Sequence, residues 1–247
     1  MTDVSQETAA PRRPWGIWAT LGWVILAFVL SQVVAAAALV LVRPDAMLAG
    51  ADLLLKDGVA IAISNIPANV VQIIVLALAA RRPGWSAAEY LGLAWPKARA
   101  AVIAFAILVT FLLGYDAITN LLGRDIVTPF QVDTYRSARE AGMLPLLWLA
   151  LVIAAPVAEE IIFRGFLFRG WVRSERAAVP GVVLISALFA AIHPQYDWFG
   201  ILQVFFIGLL LGWARWRSGS TMLTILMHVW INLWATAQSM IKVEWLS

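Results

Sequence analysis

Six residues in the second half of the chain are of types that do chemistry, and their spacing is that of helical turns. Glu159, Glu160 and Arg164 form one group, His193 follows Phe189 by four residues, and His228 precedes Asn232 by four. On a helix, Glu160 and Arg164 lie on one face and can pair. Glu159 points about 100° away from Glu160 and needs a partner on another element. The two histidines are the only ones in the chain. A carboxylate beside an imidazole can take a proton from water and later return it to a leaving amine. A second imidazole and a carboxamide can hold a developing oxyanion.

Those parts are the ones that hydrolysis of a peptide bond requires. Other hydrolytic designs lack their residues: there is no Cys, no HExxH and no GxSxG. The pair Tyr115-Asp116 is of the kind intramembrane aspartyl proteases carry, but no second Asp lies at matching depth in an apolar segment. The net charge of +3 is spread over short loops, and no basic run points to nucleic acid.

The elements that must position these groups are apolar. Hydrophobic residues make up 62% of the 247 and charged residues 13%, against about 25% charged in a soluble domain. Seven apolar segments, at about 15–42, 58–80, 100–122, 144–169, 180–193, 198–214 and 220–241, predict an all-α, polytopic transmembrane bundle. The first is too long for a cleavable signal peptide. Residues 1–14 read as a cytoplasmic tail and 15–247 as one transmembrane domain, with the chemistry in 144–241. Loop charge alternates: basic at 12–13, 81–99, 169–176 and 215–217, acidic or balanced between them. Basic loops stay in the cytoplasm, so the N-terminus is expected inside and the C-terminus outside.

Three charges in one span would cost on the order of 8–10 kcal/mol unpaired. At about 1.5 Å per residue, Glu159 stands roughly 15 Å above the cytoplasmic edge. His193 stands roughly 19 Å above it, and His228 and Asn232 roughly 14 and 20 Å. All four fall near the midplane of a core about 30 Å thick, as one constellation on three helices.

Other polar residues read as packing. Asn65, Asn69 and Gln72 make an amide stripe, Asp116 and Asn120 a shorter one, and Gly208 and Gly212 a GxxxG pair. Trp15, Trp85, Trp171 and Trp216 stand at span ends as interfacial anchors. A purely structural ion pair is the alternative for Glu160 and Arg164, and helix cross-linking the alternative for Asn232.

The three motifs, Glu159-Glu160-Ile-Ile-Phe-Arg164, Phe189-Ala-Ala-Ile-His193 and His228-Val-Trp-Ile-Asn232, resemble the EExxxR, FxxxH and HxxxN signature of the CPBP (CAAX-protease and bacteriocin-processing, or Abi) family, to which the CAAX prenyl endopeptidases belong. The resemblance implies an intramembrane endopeptidase in which Glu159 and His193 activate water, His228 and Asn232 serve the oxyanion, and Glu160 and Arg164 orient the base. Family naming often says metalloprotease, and Glu159, His193 and His228 could hold zinc with a water in the open position. Asn is a poor zinc ligand, which favours a metal-free, glutamate-based site.

The expected partners are the lipid bilayer and a membrane-associated peptide or protein substrate. Heavy use of Ala, Arg and Trp points to a bacterial inner (plasma) membrane. Two other functions fit an apolar bundle. A catalytically silent scaffold or immunity-type protein has no need of buried charges, and a small transporter with a Glu/His proton relay would show the inverted repeats and broken helices not found here.

Overall fold

A computed structural model describes residues 12–48, 50, 54 and 56–246. Most of the expected tail (residues 1–11) and Asp52 of the first loop lie outside the described residues. The described residues form helices and connecting turns, with no strand among them, as the apolar pattern predicts. In chain order the helices are α1 (Ile17–Val42), α2 (Pro44–Leu48), α3 (Gly58–Ala79), α4 (Ala87–Leu91) and α5 (Ala98–Leu121). There follow α6 (Pro129–Glu140), the continuous α7 (Leu144–Trp171), α8 (Glu175–Ala191), α9 (Trp198–Ser218) and α10 (Thr221–Trp245).

Five of these, α1, α3, α5, α7 and α9, are long and apolar enough to cross a membrane. The chain is an integral membrane protein. The other two expected spans are present as helices of different character. α8 has 17 residues, a rise of about 25 Å. α10 has 25 residues but carries His228, Asn232, Gln238, Lys242 and Glu244 among its apolar ones, which lowers its hydropathy.

Three short helices, α2, α4 and α6, stand where the sequence was read only as loop. The last two begin with a reciprocal cap, Ser86 with Glu89 for α4 and Thr128 with Gln131 for α6. Pro129 occupies the first turn of α6, where its missing N–H costs nothing. Bonds from the Ser86 backbone and then its hydroxyl hold the exposed Glu89 carboxyl below the usual carboxylate range. These caps were legible as S-x-x-E and T-x-x-Q.

Packing follows the small residues. A Cβ on Gly208 would meet Ser186 Cβ at 2.9 Å, and one on Gly212 would meet Val182 Cγ1 at 2.7 Å. The GxxxG pair therefore draws α9 against α8, as expected of such a stripe. The amide stripe divides. Gln72 donates to Ser31 across to α1 at 2.9 Å, while Asn65 bonds the Ile61 carbonyl of its own helix. Asp116 is held by two donors from α10, Trp234 Nε1 at 3.1 Å and Gln238 Nε2 at 2.7 Å, and so ties α5 to α10.

Candidate active site

The site is built around α7, whose regular winding is interrupted twice. π-helical turns run over Leu149–Ala154 and Ile161–Leu167, on either side of an α turn that carries Glu159 and Glu160. The first has a local cause. In a π turn each carbonyl bonds the N–H five residues on, and Ala155 N–H reaches Ala150 O in that way. The next carbonyl, Leu151 O, faces Pro156, which has no N–H to give. Asn232 supplies the missing donor from α10, with Nδ2 2.7 Å from Leu151 O. The cross-linking expected of a buried amide is thus present. Its second N–H is not consumed by that bond.

Behind the cavity lies a buried charge network. Arg164 and Glu160 are both fully buried and pair at 2.9 Å. Arg164 Nη2 also donates to Gly208 O at 3.2 Å, and its guanidinium stacks 4.5 Å from the Phe189 ring. Two buried charges are tolerated only when paired and bonded in this way. The same oxygen of Glu160 meets His228 Nδ1 at 2.9 Å. A carboxylate only accepts, so Nδ1 carries the proton and Nε2 is the nitrogen left for the cavity.

His193 is fixed by similar logic. Its Nδ1 lies 2.7 Å from the Phe189 carbonyl, which only accepts, so this ring also keeps its Nδ1 proton and leaves Nε2 free. The ring packs edge-on to Phe189 at 4.9 Å and stacks parallel to Tyr196 at 6.2 Å. Phe189, four residues before His193, therefore serves as backbone acceptor, ring neighbour and guanidinium platform at once.

Glu159 has different surroundings from Glu160. Both carboxylates have a buried Oε2 without a hydrogen-bond partner, but Glu159 lacks the Arg164 pairing, and its nearest cationic-capable group is His228 Nε2 at 3.8 Å. Glu159, His193, His228 and Asn232 all line one cavity of about 210 Å³. That is room for several waters at ~30 Å³ each. Glu160 and Arg164 do not line it. They brace His228, the residue expected on the oxyanion side, rather than Glu159. Among the described residues no three His, Cys, Asp or Glu side chains gather as a metal-ligand set. Glu159, His193 and His228 share the cavity without forming one.

Sequence reasoning passed over part of the wall. Gln195, Tyr196 and Gln203 line the cavity, as do Thr128, Phe130 and Gln131 from the start of α6. Burial first, and then the Glu159 charge, push the Tyr196 phenol up to about 12, so it remains a donor. A lone amide in an apolar helix, Gln203, and the α6 capping box were the available signals.

Residues 141–234, which contain all six motif residues, match the family model described as type II CAAX prenyl endopeptidase Rce1-like. Over these residues the chain is similar to the Rce1-like family. The resemblance carried by the three motifs is borne out, and the family is described as one of CAAX-type endopeptidases, a class of protease. An uncharacterized 24.3 kDa protein of Escherichia coli is 36% identical over 87 residues, 34% of this chain and 40% of that protein. The UPF0177 protein YxdF of Lactococcus lactis is 26% identical over 94 residues, 37% of this chain and 50% of that protein. The matched part of the chain thus spans half or less of these relatives. No solved structure matches it.

Proposed function

We propose that this Rce1-like chain is an intramembrane endopeptidase of the glutamate type. The observation that carries the reading is the buried, unpartnered Oε2 of Glu159 in a cavity that also holds the two Nε2-bearing rings. A water between Glu159 and His193 loses a proton to Glu159 as its oxygen bonds the scissile carbonyl carbon. The carbonyl electron pair moves to oxygen. His228, with a proton on each nitrogen in this role, and the second N–H of Asn232 donate to that oxyanion. Collapse breaks the C–N bond, and the proton held by Glu159 passes through His193 to the leaving nitrogen. Glu160 and Arg164 are positioning residues, acting through His228. The absence of a three-ligand cluster among the described residues, and the amide of Asn232 beside the two rings, favour this chemistry over a zinc site.

Membrane proteomics of cells carrying the wild-type chain or Glu159→Ala tests the reading. Peptides or new chain ends should be present with wild type and absent with the variant. Identical sets would sink it.

A further inference from the structure

The molecule has two electrically distinct ends. At one, the loops 81–99, 169–176 and 215–219 carry nine Lys and Arg against Glu89 and Glu175. They are knit together: Arg169 donates to the carbonyls of Tyr90 and Glu89, Ser220 to Ala94 O, and Thr221 to the carbonyls of Gly92 and Leu91. At the other end, the described residues of segments 43–57, 123–143, 192–198 and 240–246 carry six Lys and Arg against seven Asp and Glu. These too are joined, by Gly58 N–H donating to Ser137 Oγ and by the pairs Arg124–Asp197, Lys242–Asp125 and Arg139–Glu244.

The catalytic cavity adjoins the second end alone among those segments. A vestibule of about 590 Å³ shares part of its lining with that cavity, including Thr128, Phe130, Gln195, Tyr196 and Gln203. Its rim reaches Asp125, whose side chain is 78% exposed, and the half-exposed Arg124–Asp197 pair. No residue of the Arg-rich loops lines either chamber. Basic loops are retained in the cytoplasm. The vestibule wall is furnished with amides, hydroxyls and an ion pair, groups that bond a hydrated peptide backbone rather than an acyl chain.

We infer that the site opens to the non-cytoplasmic face, and that its substrates are polypeptide segments presented in the water on that side, threaded through the vestibule to Glu159. The substrate half of this inference rests on the peptidase reading. The opening does not.

The chain has no Cys, so single cysteines report access directly. Asp125→Cys at the rim, Gln203→Cys in the shared wall and Arg217→Cys at the basic end are treated with a membrane-impermeant maleimide. Positions 125 and 203 should label in intact cells at least tenfold faster than 217, which should label only after permeabilisation. Labelling of 217 in intact cells, with 203 shielded until permeabilisation, overturns the inference. So does a rim cysteine that labels beside a position 203 shielded in both states, because the chambers would then be separate. If Gln203→Cys does not accumulate, Gln195→Cys probes the same wall. In the second arm, a bulky polymer maleimide added outside Gln203→Cys cells should lower release of the Glu159-dependent peptides at least tenfold. Complete labelling with undiminished release would mean another route, and the substrate assignment falls. If Glu159→Ala alters no peptide at all, the peptidase reading fails while the labelling pattern still decides the opening.

Discussion

Glu160 Oε1 stands 2.9 Å from His228 Nδ1, and through that contact a buried ion pair on α7 sets the tautomer of a cavity-facing imidazole on α10. The arrangement separates two adjacent carboxylates by duty. Glu160, paired through Oε1 with Arg164 and His228, orients; Glu159, one residue back around the helix and lining the cavity, is available to react.

Glu159→Gln tests that division first. The amide keeps the shape and loses the basicity, so kcat should fall by about 10²–10⁴, the range general-base catalysis supplies. Thermal unfolding in detergent should be unchanged, since no hydrogen bond to the buried Oε2 is lost. Activity equal to wild type would remove Glu159 from the mechanism.

Arg164→Ala should behave in the opposite way. It strands the Glu160 carboxylate in an apolar interior, and breaking such a pair costs about 3–5 kcal/mol. It also frees Gly208 O and the Phe189 face. A large fall in melting temperature is expected, measured against Glu159→Gln. An Arg164→Ala protein as stable as wild type would contradict the buried network.

Asn232 has two duties that one pair of substitutions separates. Asn232→Ala leaves Leu151 O without a donor, at about 1–3 kcal/mol for a buried group. Pro156→Ala restores an N–H opposite that carbonyl. In the Pro156→Ala background, loss of the Asn232 amide should therefore cost measurably less stability, a coupling a double-mutant cycle reads directly. The kcat defect, on the order of 10²–10³ for one oxyanion donor, should persist in both backgrounds. Additive stabilities would show that the amide does not substitute for the proline's missing N–H.

Chelation addresses the metal. Purified protein treated with a strong chelator should retain its activity, and elemental analysis should find no stoichiometric zinc. One zinc per chain, whose removal abolishes activity and whose return restores it, would overturn the glutamate-base reading. Glu159, His193 and His228 would then be ligands.

The sequence by itself determined the class of the molecule and the cast of its site. A run such as Trp15–Val42, with no charged residue, has no stable place in water, and charges inside an apolar span have none in lipid unless something receives them. Helical spacing alone paired Glu160 with Arg164. What helical spacing does not carry is contact between helices. That Glu160 braces His228 rather than Glu159 depends on how α10 packs against α7, and that Asn232 mends a carbonyl left open by Pro156 depends on a π turn whose register no periodicity reveals. The vestibule likewise comes from loops distant in sequence. The start of α6 and the turn around Tyr196 meet over the cavity through Phe130 and Tyr196, 6.0 Å apart, because the fold brings them there. Local propensity is short-ranged, whereas the position of a catalytic group is fixed by the side chains that pack around it from elsewhere in the chain.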